Sequence, residues 1–164
     1  MKKLLLLFLL TSITVVVKAQ EKPSKSDTHG LINTTLKRVV ARNSCSEAMM
    51  VSEQFFSNDF AKYHYAAKSK DKKKSATTDV SNIQWKNYLK CEMKTSTWDN
   101  VIACTTVYFS TAMKETIILE GKEVSSFETT IDIVIQPEKL ESIKKAFERL
   151  AEIAKEENKD PFKN

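Results

Sequence analysis

Glycine is nearly missing from this chain: its 164 residues hold two, Gly30 and Gly121. That excludes the glycine-rich loops that cradle phosphates, which need several glycines within a few positions. Histidine is equally scarce, with His29 and His64 alone, and the three cysteines (Cys45, Cys91 and Cys104) are scattered. No C-x2-C or H-E-x-x-H spacing exists, so no metal site and no other cofactor is expected. The longest apolar run, Leu4 to Val17, covers fourteen residues. A membrane-spanning helix needs ~20. No internal repeat is visible.

What is present begins with an export signal. Lys2 and Lys3 precede the apolar run, and Val17-Lys18-Ala19 ends it with small or β-branched residues at the positions a signal peptidase reads. Cleavage is expected after Ala19, giving a periplasmic or secreted destination. The first cysteine is Cys45, so no lipid-bearing cysteine follows the cut. Three lysines leave with the signal; the basic count falls from 26 to 23 against 21 acidic residues, and net charge from +5 to +2. So mild a charge argues against nucleic acid as a partner. The 145 remaining residues suffice for one hydrophobic core.

Hydrophobic periodicity organises the rest. Residues 20–27 read as a polar, flexible leader and 28–155 as a single α+β domain. Asp27 or Thr28 caps a helix whose stripe is Ile32, Leu36, Val39 and Val40, ending near Asn43. Cys45 to Phe60 fits neither helical nor strand period and is taken as a short helix or irregular segment. Phe60 to Ala67 is a strand. Lys68 to Lys74 and the polar residues to Asp79 form a solvated loop. Ile83 to Met93 alternates, with Trp85, Leu89, Cys91 and Met93 on one face. Strands follow at Val101 to Phe109 and Thr116 to Leu119, then a turn at Glu120-Gly121-Lys122. Phe127, Thr129, Ile131, Ile133 and Ile135 alternate strictly with polar residues through Asp132. Pro137 opens a last helix with the stripe Leu140, Ile143, Phe147, Leu150 and Ala154. Residues 156–164 are a frayed tail. The expected fold is α+β: an antiparallel meander sheet, an N-terminal helix, and a C-terminal amphipathic helix packed on the sheet.

Candidate chemistry is sparse. Cys91 and Cys104 are symmetric about Thr97-Trp98, so a hairpin turning there would set them face to face as a disulfide, leaving Cys45 free. His64, between Tyr63 and Tyr65, is the one histidine placed for catalysis, and its plain role is a solvated strand residue. Glu128 and Asp132 share a strand face at ~13 Å, too far for a glycosidase pair. No catalytic residue is assigned. Lys70, Lys72, Lys73 and Lys74 could attract a polyanion, and Trp98 could form an exposed aromatic contact. Asn33-Thr34-Thr35 matches the N-glycosylation pattern.

The junction Val17-Lys18-Ala19-Gln20 resembles export signals of Bacteroidota-type bacteria. The succession Ile83-Gln84-Trp85-Lys86-Asn87-Tyr88, a long hairpin, a last strand and the helix Ile143 to Leu150 is similar to small exported proteins of pleckstrin-homology-like architecture. That resemblance covers about half the chain. It implies a bent antiparallel sheet closed at one end by a helix, and a binding or scaffold role toward a protein or surface ligand. The expected function is therefore an exported, non-enzymatic binding module. The alternatives are a small hydrolase-like enzyme using His64, or an inhibitor or immunity-type protein. A ligand-sized pocket beside His64 with a second acid or nucleophile would favour the enzyme.

Overall fold

The computed structural model describes residues 22–37, 49–69, 73–96 and 103–159. The signal segment 1–19, Val39, Val40, Cys45, Lys70, Lys72 and the Thr97-Trp98 turn lie outside the described residues. The elements are α1 (Lys25–Lys37), β1 (Met49–Phe56), β2 (Lys62–Ser69), β3 (Ser75–Ser81), β4 (Tyr88–Ser96), β5 (Ala103–Leu119), β6 (Lys122–Ile135) and α2 (Leu140–Lys159). The result is a mixed α+β fold with a curled antiparallel sheet and a C-terminal helix packed on it.

Helix α1 starts earlier than its apolar stripe implies. Ser24 and Asp27 form a reciprocal cap: the Asp27 N–H donates to Ser24 Oγ at 3.1 Å, and the Ser24 N–H to Asp27 Oδ2 at 3.2 Å. Residues 25–27 of the expected leader are thus helical. Its buried face is Thr28, Ile32, Thr35 and Leu36.

All strand pairings are antiparallel, in the order β1-β2-β3-β5-β4, with β6 on the opposite edge of β5. β5 organises the sheet. Its first half pairs with β4 and its second half with β3, while β6 follows both halves with an irregularity between Tyr108 and Met113. The sheet bends there. Glu120 and Gly121 make the two-residue turn, both at positive φ (51° and 80°).

Several expectations are corrected. The unassigned stretch before Phe60 is the strand β1, and the polar residues after Lys74 are β3, whose Ala76, Thr78 and Val80 face inward. The two strands expected at 101–109 and 116–119 are one, β5. Ile83 to Met93 is not one buried face: Trp85 sits in a 3-10 turn, an irregularity at Tyr88/Lys90 leaves Leu89 exposed, and Met93, on the same face as buried Cys91, is also exposed. Pro137 opens a 3-10 turn rather than α2 itself, and α2 runs to Lys159, into the expected tail.

The disulfide is also corrected. Cys91 is a free, buried thiol. It lies opposite Val107, while Cys104 lies opposite Thr95. The register is three residues from the one that would join them. An odd offset turns the two side chains to opposite sheet faces, so the bond cannot form. Cys104 is nevertheless disulfide-bonded, and because Cys91 is free its partner is not Cys91; Cys45, expected to be free, lies outside the described residues.

The core lies between α2 and the sheet. Ile143, Phe147 and Leu150 of the expected stripe are buried, joined by Ala146 and Ala151. Phe147 stacks on Trp85 at 5.2 Å between ring centroids and meets Phe56 and Tyr88. Ile131, Ile133 and Ile135 are buried on β6, but Phe127, on the same alternation, is 75% exposed. The bend carries that half of the strand off the core.

Candidate functional site

The curl of the sheet creates the site. β1, β2, β3 and the second half of β5 share an inner face, because Gln54 lies opposite Tyr65, Phe56 opposite Tyr63, Tyr63 opposite Val80, and Val80 opposite Glu115. The second half of β6 meets this face edge-on. Its outer edge has no strand partner among the described residues, and buried side chains satisfy it instead. Gln54 Nε2 donates to the Val134 carbonyl, and the Val134 N–H donates to Gln54 Oε1 at 3.1 Å. The Tyr63 hydroxyl, 3.2 Å from both, donates to Gln54 Oε1 or to the Asp132 carbonyl. Burial raises the Tyr63 pKa well above the ordinary phenol value, so the group stays a hydroxyl.

This junction has two sides. Ile131, Ile133 and Ile135 of β6 enter the core beneath α2, with Ile131 also lining the cleft. On the other side is an open cleft of about 270 Å³. Its walls are Tyr63, Tyr65, Thr78 and Val80 on the inner face, and Asp132, Val134 and Lys94 across from them. Glu115 also lines it.

The cleft is acidic. Asp132 accepts a hydrogen bond from Thr106 Oγ1 at 2.6 Å, and its other oxygen is 3.8 Å from Lys94 Nζ. Glu115 makes no ion pair among the described residues. Its pKa is raised, first by burial and then by the nearby Glu128 charge, with the Ser126 hydroxyl partly offsetting both. Glu115, Glu128 and Asp132 outnumber the single Lys94, so the field in the cleft favours a cation.

Sequence reasoning weighed Glu128 and Asp132 along one strand and missed Glu115, which β5 places beside them. The visible signal was a lone acid in the run Met113 to Leu119. It also missed Gln54, an amide amid Val51, Phe55 and Phe56.

His64 lies on the opposite sheet face, as the alternation with its tyrosine neighbours implies. Its Nδ1 is 2.7 Å from Asp79 Oδ1, and Phe55 packs beside it at 5.2 Å. An open pocket of about 360 Å³ lies there, lined by His64 and the second acid Asp79 and also by Ser57 and Ser81. Both hydroxyls are engaged elsewhere: Ser57 with Asp59 and the Lys62 backbone, Ser81 with the Lys114 carbonyl. The imidazole and carboxylate are thus two members of a triad with no hydroxyl bonded to the ring.

The remaining expected residues do not converge. Lys73 and Lys74 are exposed, with Lys74 3.5 Å from Glu120. Lys70, Lys72 and Trp98 lie outside the described residues. Asn33 of the glycosylation pattern serves structure: its amide donates to the Phe56 carbonyl at 2.8 Å and accepts from the Phe56 N–H at 2.9 Å, tying α1 to β1. Among the described residues no cluster of three or more ligating side chains could hold a metal ion, and no helix is long and apolar enough to cross a membrane. No family model matches the chain, and no curated protein or solved structure proves similar to it.

Proposed function

We propose that this chain is an exported, non-enzymatic binding module whose ligand enters the cleft between the two halves of the curled sheet. The observation that carries the reading is the cleft itself. It is open, floored by a hydrogen-bonded junction and walled by tyrosines, with Glu115 and Asp132 at its rim. Its volume of about 270 Å³ suits a side-chain-sized group rather than a large metabolite. The chemistry favours an ammonium or guanidinium group held against tyrosine faces. The Asp132 carboxylate is already oriented by Thr106, so it can accept a cation without reorganising. A bent sheet with a helix across one end supports the pleckstrin-homology-like reading and its binding role.

Titration of the 15N-labelled mature protein with arginine amide and with putrescine tests the site. Shifts are expected at Tyr65, Thr78, Glu115 and Asp132, weakened by Glu115→Gln and unaffected by Asp79→Asn. Shifts centred on His64 and Asp79 instead, or none at millimolar ligand, would refute the cleft as the site. Export has its own test. The intact mass from a bacterial host should match a chain starting at Gln20; a membrane-bound product retaining Leu4 to Val17 would overturn it.

A further inference from the structure

The two halves of β6 treat their outer edge differently. In the second half, Gln54 and Tyr63 satisfy the backbone of Asp132 and Val134. In the first half, residues 122–128 pair with β5 on one side and with no strand on the other among the described residues. An open edge of this length is a template for another strand. It also carries unusual apolar exposure. Ile118, Leu119, Val124 and Phe127 are four of the seven exposed large hydrophobic residues among the described ones, and all belong to this hairpin. Val124 is 64% and Phe127 75% exposed.

We propose that two copies of the chain associate through antiparallel pairing of residues 122–128 of β6, about a two-fold axis at Ser125. Charge complementarity selects both the occupant and the register. A two-fold perpendicular to the sheet pairs residues of like face, so it must pass through a residue. Centred on Ser125, it sets Lys122 opposite Glu128 of the second copy, and this happens twice. Centred on Val124, Ser126 or Phe127, it joins no opposite charges within residues 122–128; the Lys122–Asp132 pair of a Phe127 centre would need the part of the edge that Gln54 and Tyr63 already occupy. Lys122 and Glu128 make no ion pair within the described chain, so both are available. Glu128 shares its strand face with Ser126, which lies opposite Glu115, and its charge adds to the carboxylate repulsion felt there. Lys122 of the second copy would bring the missing cation. The same register sets Val124 opposite Ser126 and Phe127 opposite Glu123, covering the exposed apolar groups with a second strand at ~4.8 Å. The edge is therefore charged in a pattern that admits itself in one register, while remaining hostile to unrelated strands.

Sedimentation velocity of the mature chain over a micromolar to millimolar range should show a monomer–dimer equilibrium that weakens with salt. Lys122→Glu and Glu128→Lys should each weaken it about tenfold or more, because each sets like charges opposite at two places. The combined reversal restores opposite charges across the axis and should recover the wild-type dimer. Ser125→Cys should cross-link to itself under mild oxidation, since facing Cβ atoms stand at ~4.5–5.5 Å. Asn58→Cys, in the β1–β2 turn, should not. A monomer at all concentrations, a combined reversal no better than the single ones, or cross-linking through Asn58→Cys in preference to Ser125→Cys would overturn the proposal. Melting curves establish that each variant is folded.

Discussion

Replacing Gln54 tests how the curled sheet is held shut. Its side chain is buried, and its amide reaches the Leu36 carbonyl at 3.3 Å and the Val134 carbonyl, while Oε1 receives the Val134 N–H and faces the Tyr63 hydroxyl. Gln54→Ala leaves three main-chain groups without partners: both polar groups of Val134, and the Leu36 carbonyl in the last turn of α1. The Tyr63 hydroxyl keeps the Asp132 carbonyl. A buried polar group left unpaired costs ~1–3 kcal/mol. Three would cost roughly 3–9 kcal/mol if none were rescued. Val134 lines the cleft, so water can reach one side of it, and the lower part of that range, ~3–4 kcal/mol, is the expected loss. That is a large share of the ~5–15 kcal/mol that holds a domain folded. Urea unfolding should show the midpoint falling with little change in slope. Hydrogen exchange should show the Val134 amide losing protection selectively. A loss under ~1 kcal/mol with that amide still protected would refute the idea that Gln54 closes the sheet.

Three further substitutions and one labelling probe the core and the helix on it. Phe147→Ala should cost ~3–5 kcal/mol by equilibrium unfolding, since the ring is fully buried among Trp85, Phe56 and Tyr88. Glu141→Ala should change stability by less than ~0.5 kcal/mol, because its ion pair with Lys144 is exposed; equal effects of Glu141→Ala and Phe147→Ala would mean α2 is not docked. Thr105→Val should raise stability by about 1 kcal/mol, since the Thr105 hydroxyl is buried with no hydrogen-bond partner among the described residues, between the core residues Ala103 and Val107; a loss would show that the hydroxyl is bonded in solution. The Cys91 thiol, pushed up to about 12 chiefly by burial, should resist alkylation at pH 8 until the protein unfolds, and peptide mapping should find it unlinked to Cys104.

Where one period persisted, the sequence could be read. The stripe Ile143, Phe147, Leu150 keeps its spacing and lies against the sheet, and Ile131, Ile133 and Ile135 keep theirs. Where a strand is irregular, alternation misleads. The irregularity between Tyr88 and Lys90 puts Leu89 in solvent, and the register separates Cys91 from Cys104. Strand β3 was hidden for a different reason. It is short and rich in Ser, Thr and Asp, residues that propensity assigns to loops, and its place between β2 and β5 holds it extended. The cleft was not legible because Tyr65, Lys94, Glu115 and Asp132 come from four strands. They meet through the bend in β5, which no local pattern announces.

Hydrogen-bond accounting links that bend to both proposed surfaces. A strand that leaves one sheet partner must satisfy its outer edge some other way, because unpaired main-chain groups are costly when buried. Beyond the bend, β6 lies inside the protein, and Gln54 and Tyr63 supply that need with side chains. Side chains reach the edge from one direction only, so the space beside them stays open, and that space is the cleft. Before the bend, β6 lies at the surface, where water meets the need until a strand of matching charge replaces it. The proposed binding cleft and the proposed self-pairing edge would thus both follow from one irregularity between Tyr108 and Met113. A ligand drawn by Glu115 and a second copy drawn by Glu128 would act on neighbouring carboxylates, so the dimer should bind a cationic ligand more weakly than the monomer, by the same factor that the ligand weakens the dimer. Sedimentation with and without saturating arginine amide measures that factor, and an unchanged dimer constant would show that the two surfaces are independent.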